Sequence, residues 1–192
     1  MTEAVRSFFE RRAFMKLQNI ETERLLLRPL RIDDAEHIYK TWTSDPRVTR
    51  FMSYVTHKSA DDTKEWLAEV EKHNADENSE VLDWGFELKS TGLLIGSGGA
   101  AYKPELEKWA IGYNIAVDYW NMGYTTEAAK AIVEYLVSMG VKHICSSHAV
   151  DNPASGRVME KIGMKYWKDG DCKCHDCRVF DAKYYILDID RS

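Results

Sequence analysis

Several features that would place this chain in a specialised class are missing. Lys and Arg total 26 against 31 Asp and Glu, a net charge of −5. That removes the basic footprint of a nucleic-acid binder. No apolar run reaches the ~18 residues of a membrane-spanning helix. Residues 1–17 alternate charge with short apolar pairs and lack the apolar stretch of a secretion signal. The 4 cysteines are Cys145, Cys172, Cys174 and Cys177, too few and too clustered for a disulfide framework in 192 residues. Repeats and low-complexity linkers are absent too. These exclusions leave one ordinary globular domain, expected in the cytoplasm as a monomer or homodimer. Its 44% hydrophobic content suffices for one sizeable core. The domain is expected over residues 19–192, after an extension, 1–18, with a helix over 3–15.

What is present alternates between two periods. Residues 24–28, 81–89, 93–102, 108–117, 143–150, 164–168 and 179–189 read as strands. Helical spacing falls on 33–42, 59–73, 127–139 and 152–162. The turn Ser90-Thr91-Gly92 makes a hairpin of two strands. Gly96-Ser97-Gly98-Gly99 lies inside a strand and marks a bulge or a close approach of backbone. The order β-α-α-β-β-β-α-β-α-β-β predicts an α/β (α+β) fold. Its mixed, mostly antiparallel sheet of about seven strands is flanked by helices.

Residues 120–128, Trp-Asn-Met-Gly-Tyr-Thr-Thr-Glu-Ala, join a strand to a helix through a glycine. Bare amides at a helix N-terminus hold anions, and the helix dipole favours negative charge there. No lysine follows as in a nucleotide P-loop, and the three-glycine dinucleotide pattern is absent. One strand later comes Asp151-Asn152-Pro153-Ala154-Ser155-Gly156-Arg157-Val158-Met159-Glu160-Lys161-Ile162-Gly163-Met164.

Together the two stretches resemble the GNAT acetyltransferases, within them the ribosomal-protein N-acetyltransferase (RimJ/RimL-type) branch. The resemblance spans about residues 21–166. Thr22-Glu23-Arg24-Leu25-Leu26-Leu27-Arg28-Pro29, Leu94-Ile95-Gly96 and Ile111-Gly112-Tyr113 add to it. It implies an acetyl-CoA-dependent N-acetyltransferase of the GNAT fold, its sheet splayed between the fourth and fifth predicted strands. Met122, Gly123, Tyr124, Thr125 and Thr126 would hold the pyrophosphate. Backbone at Ile115, Ala116 and Val117 would pair with pantetheine. Asn152 and Ser155 would approach the pantetheine arm and the sulfur.

The implied reaction is direct attack of a primary amine on the thioester. An amide near Val117 would hold the oxyanion, and Ser155 would protonate the leaving thiolate or simply contact the cofactor. The base is less legible. Many relatives carry glutamate where Ala110 stands. Glu107 is three residues away, on the opposite face if the strand continues. Glu107, Glu105 and His148 are the candidates in that order, with His148 equally readable as a packed histidine.

A lysine-type amine is only ~0.04% neutral at pH 7, an α-amine about 10–15%. A site with no evident base therefore suits a protein N-terminus or a small amine of low pKa. Cys172, Cys174, His175 and Cys177 could ligate zinc, respond to redox conditions, or be plain surface residues. Their spacing is tight for a metal site, and no metal is expected. Two other readings are a CoA-binding sensor without catalysis and a regulatory domain built on the cysteines.

Overall fold

The computed structural model describes residues 17–189 except 77, 175 and 176. The helix expected over 3–15 lies outside the described residues. The strands are β1 (Ile20–Glu21), β2 (Leu25–Pro29), β3 (Val81–Leu88), β4 (Leu93–Lys103), β5 (Lys108–Ile115), β6 (His143–Ala149), β7 (Lys165–Lys173) and β8 (Val179–Asp188). The helices are α1 (Ala35–Ile38), α2 (Pro46–Thr49), α3 (Ala60–Ala75), α4 (Tyr124–Ser138) and α5 (Pro153–Lys161).

One sheet of eight strands runs in the order β1-β2-β3-β4-β5-β6-β8-β7. The extra strand over the expected seven is β1, a two-residue pairing against Leu26 and Leu27. It is too short to leave an alternating signature. Strand β7 also runs five residues beyond its expected end, through Cys172.

Local chemistry explains the helix ends. Ser59 caps α3 and exchanges hydrogen bonds with Asp62 in a capping box. Helix α4 begins at Tyr124, three residues earlier than apolar periodicity indicates, because Gly123 is its N-cap in a left-handed conformation (φ 83°). After α1 the chain loosens into a π turn over Tyr39–Thr43 rather than continuing as one helix.

Both faces of the sheet are packed. Leu25, Leu27, Trp84, Phe86, Ile95 and Ile115 form one core with Ala128, Ile132 and Leu136 of α4 and Met159 of α5. Leu30 and Leu94 meet Ile38, Trp42, Leu67 and Val70 on the other face. The glycines of β4 let strands approach. A Cβ on Gly96 would strike Asn114 O, and one on Gly99 would strike Leu82 O. A register shift at Phe86/Glu87 adds the bulge as well.

One seam differs from the rest. Strands β5 and β6 are parallel and pair only at Trp109↔Ile144 and Ala110↔Cys145. One residue further on, Ser146 Oγ donates to Ile111 O at 2.9 Å. A side chain thus takes a carbonyl that a ladder amide would otherwise take. The strands then separate, and the sheet opens toward the N-termini of α4 and α5.

Candidate active site

The turn into α4 is built to leave amides bare. Asn121 (φ 61°) and Gly123 (φ 83°) are both left-handed, which brings the chain round without covering the helix end. The Glu127 amide bonds Gly123 O at 3.1 Å. It is the first helical amide so satisfied, so those of Tyr124, Thr125 and Thr126 precede the ladder and face outward. Five of the predicted phosphate-holding residues, Met122 to Thr126, are thus on one turn.

Residues 22–28 hold this turn in place. Glu127 accepts hydrogen bonds from Thr22 Oγ1 (2.6 Å), the Arg24 amide (2.8 Å) and Arg24 Nε (2.7 Å). Arg24 Nη1 reaches Met122 O at 3.0 Å, and the guanidinium lies 4.2 Å from the Tyr124 ring centre. Burial pushes the Glu127 carboxyl up, but these bonds outweigh it and hold it below its usual range. A Cβ on Gly123 would sit 3.5 Å from Arg24 Nη2, so a cationic group stands at the mouth of the anion site. The second arginine of the segment, Arg28, pairs with Asp34 and Glu87 and braces the sheet instead.

Of the three backbone positions expected along pantetheine, two are engaged within the protein. Ile115 O accepts Trp120 Nε1 at 2.9 Å, and the Ala116 amide donates to Ile95 O at 2.8 Å. Val117 opens a short helical turn, so its amide has no acceptor within that turn. Asn152 is the N-cap of α5, yet its side chain makes no capping bond. Its amide group is therefore available to the gap.

Ser155 lies across the gap from β5. Its Oγ donates to Tyr113 Oη at 3.3 Å, and Tyr113 Oη donates to Ser155 O at 3.0 Å. Burial raises the Tyr113 phenol to about 12, partly offset by the Ser155 bond. The two hydroxyls form a short relay next to where the strands part. Tyr113 was visible in the sequence only as part of a strand motif. Its partner is 42 positions away.

The predicted bases are dispersed. Strand β5 begins at Lys108, and Glu107 is an exposed left-handed turn residue (φ 51°) before it. Strand parity therefore does not set its direction, contrary to the expectation from spacing. His148 is buried, with Nδ1 2.8 Å from Ala149 O. Its ring packs beneath α5, where a Cβ on Gly156 would lie 2.6 Å from Nε2. Both its packing and its face are those of a core histidine.

The opposite face of β5 is open at one position. Gly112 is exposed, and a Cβ there would meet nothing within 4 Å. Register aligns Asp83, Gly99 and Gly112 in one row across β3, β4 and β5. The next row pairs Ser97 with Asn114, whose Nδ2 donates to Ser97 Oγ at 2.7 Å while the buried Oδ1 has no partner. Residues 50–54 are tied to the start of β8 and to α3. Arg178, ahead of β8, donates to the carbonyls of Arg50, Met52 and Tyr54. Phe51 stacks edge-on against Phe180, and Tyr54 against Trp66 of α3. Among the described residues no cluster of His, Cys, Asp and Glu is placed to hold a metal. His175 lies outside them.

The site is therefore a split parallel seam with bare amides of a helix N-terminus toward one face and the exposed Gly112 on the other, a layout suited to group transfer. Residues 24–165 match the acetyltransferase (GNAT) domain, and the chain belongs to that family of N-acetyltransferases. The family uses acetyl-CoA as cosubstrate. The bare amides of 124–126, the Arg24 guanidinium and the Asn152 side chain, which makes no capping bond, fit such an anionic, amide-rich ligand.

Among curated proteins, the chain is 29% identical over 148 residues to the uncharacterized N-acetyltransferase YoaA of Bacillus subtilis, covering 76% of this chain and 82% of that protein. Among solved structures it resembles a GNAT-family acetyltransferase from Bacillus anthracis, with TM-score 0.75, 26% identity, and 89% and 98% of the two chains covered. The fold is also shared with an acetyl transferase from Salmonella typhimurium described as modifying the N-terminal serine of ribosomal protein L7/L12. That match has TM-score 0.76 and 15% identity, covering 90% of this chain and all of that one.

Proposed function

We propose that the protein transfers the acetyl group of acetyl-CoA to the α-amine of a protein N-terminus, or to a small amine of similar pKa, by direct attack. The observation that carries this reading is the pairing of the Ser155–Tyr113 relay with the exposed Gly112, on opposite faces of β5 beside one seam. The Salmonella protein of the same fold supports an α-amine acceptor.

Acetyl-CoA supplies an acyl group already activated as a thioester. The amides of 124–126 and Arg24 bind its phosphates, fixing the thioester end between β5 and β6. The Val117 amide is placed to receive the carbonyl oxygen as negative charge develops on it, which is where a fixed donor contributes most. The amine nitrogen forms a bond to the carbonyl carbon, the carbon–sulfur bond breaks, and the nitrogen gives up a proton to solvent as the amide forms. Ser155 Oγ turns its proton from Tyr113 Oη to the departing sulfur and then takes one from Tyr113 Oη, whose proton leaves Ser155 O and is replenished from solvent.

The test is release of free thiol from acetyl-CoA with a panel of serine-headed peptides, their N-blocked counterparts containing lysine, and spermidine. Turnover on free N-termini with no reaction on blocked peptides is the expected result. Binding of acetyl-CoA with no turnover on any amine would instead favour a sensor.

A further inference from the structure

Asp83 has no role in the site as described, yet its surroundings are unusual for a carboxylate. It stands on β3 with its backbone clamped by Asn74 of α3: Asn74 Oδ1 accepts from the Asp83 amide and Nδ2 donates to Asp83 O, both at 3.2 Å. That clamp fixes the main chain and leaves the carboxylate alone. Among the described residues no hydrogen bond or ion pair reaches it. Its Oδ1 leans over β4, 2.7 Å from where a Cβ on Gly99 would be. Gly99 therefore makes room for this carboxylate and cannot carry a side chain.

The row then continues to Gly112, which is open. With strands ~4.8 Å apart, β3 is about 10 Å from β5. A carboxylate leaning over β4 is only about one strand spacing from the Gly112 floor. Continuing the β5–β6 register from Ala110↔Cys145 puts Ser147 next in the row, beyond the gap, and Ser147 pairs with Tyr184. The row is thus a trough, its near end closed by a carboxylate and its middle crossed by the seam where β5 and β6 part. Among the described residues Asn114 Oδ1, one row along the same face and shielded from solvent, also lacks a donor. The Asp83 carboxylate is the acceptor that calls for an N–H ligand.

We infer that Asp83 receives the ammonium of the acceptor at the end of the Gly99–Gly112 trough and takes its proton before attack. This inference rests on the amine-acetylating reading above. The proton passes from the ammonium nitrogen to an Asp83 carboxylate oxygen, leaving a neutral amine and a carboxylic acid. The amine attacks the thioester, and Asp83 then returns the proton to solvent. The carboxyl suits the task, because burial raises it to about 6, with the charge of His73 pulling the other way. His73, in the last turn of α3, is the titratable group facing it. Asn74 of α3 and Gly99 of β4, which also lie beside it, carry no charge. A base poised this close to neutrality transfers protons efficiently at pH 7.

The experiment is the pH profile of kcat/KM for a serine-headed peptide, in the wild type and in Asp83→Asn, alongside acetyl-CoA affinity by calorimetry. The wild type should give a bell, with an acid arm near the Asp83 value and a basic arm near the peptide amine, about 8. Asp83→Asn should lose the acid arm and rise only through the amine's own titration. At pH 7 it should be slower on the order of 100-fold, with acetyl-CoA affinity unchanged. Gly112→Val should raise the peptide KM at least about tenfold by filling the trough, again with no change in acetyl-CoA affinity. An Asp83→Asn profile of wild-type shape, whether at full or uniformly lowered rate, overturns the assignment, and so does Gly112→Val with wild-type KM. If the wild type acetylates spermidine but no peptide, the α-amine reading fails alone and Asp83→Asn is judged on spermidine. A wild type that acetylates no amine overturns both.

Discussion

On the side proposed for the cofactor the groups on offer are backbone amides of one turn, Met122 to Thr126, with Arg24 and Glu127 fixing that turn from either end. On the proposed acceptor side they are side chains from two strands and a loop: Asp83, Asn114 and the segment that Arg178 ties down. The first arrangement is local and, in the proposed reading, takes the phosphates of the cosubstrate. The second depends on register across β3, β4 and β5, so one substitution can change its chemistry without disturbing the fold. A family that keeps one cosubstrate and varies its acceptors needs this division.

The sharpest way to break the comparison is to put a side chain and a negative charge into the backbone-built half. Gly123→Asp forces a non-glycine residue to φ 83° at a roughly 1–2 kcal/mol penalty. It also places a carboxylate within reach of Arg24, where it competes for the cation and repels the pyrophosphate. We expect acetyl-CoA affinity to fall by more than about 100-fold with the fold retained, as read by calorimetry and circular dichroism. Near-normal affinity in the folded variant would remove the phosphate site from this turn.

Next in size is the relay, which belongs to neither half. Ser155→Ala should lower kcat by about 10- to 100-fold with little change in acetyl-CoA affinity. Tyr113→Phe should give a similar loss, and the double variant little more, because the two hydroxyls act in series. Fully additive losses in steady-state kinetics would show that they do not.

The same division explains what the sequence alone reveals. Gly123 before an amphipathic helix, and Asn152-Pro153 at the start of another, are contiguous signals whose physics is local, so their placement at helix N-termini follows from spacing. The splayed sheet follows from the resemblance rather than from periodicity, since Ser146 Oγ on Ile111 O is a contact between residues 35 apart. Strand parity misdirected the reading of Glu107, because its left-handed turn ends the strand before reaching it. Asp83 and Arg178 carried no local pattern. Asp83 becomes conspicuous only when register sets it beside two glycines of other strands.

A milder change separates the halves from the other side. Arg178→Ala removes three hydrogen bonds from the guanidinium to the carbonyls of residues 50, 52 and 54. Each is worth about 1.5–3 kcal/mol when the donor is charged, but part of this site is exposed and the loop retains its aromatic contacts with Trp66 and Phe180. The expected result is a rise of about fivefold to tenfold in the amine KM. Acetyl-CoA affinity should be unchanged, since none of these atoms borders the α4 turn. A parallel loss of acetyl-CoA binding would mean that the two halves are coupled through the sheet.

The smallest expected effect, and the most diagnostic, is on stability. The Asp83 carboxyl is raised to about 6 in the folded protein, against about 3.9 in an unfolded chain. The folded state therefore holds the extra proton between these values. Its contribution to stability is fully present below the unfolded value and is lost as pH rises through about 6. Above pH 7 the wild type holds a desolvated charge at a cost of about 1–3 kcal/mol. Asp83→Asn should be the more stable protein at pH 8 by that amount, a few degrees in Tm for a domain of this size. The advantage should shrink toward zero near pH 4. Thermal melts of the two proteins across this range decide it. A gain that appears only where activity needs the charge is the signature of a group kept for chemistry at the expense of stability. A pH-independent difference would make Asp83 a packing residue.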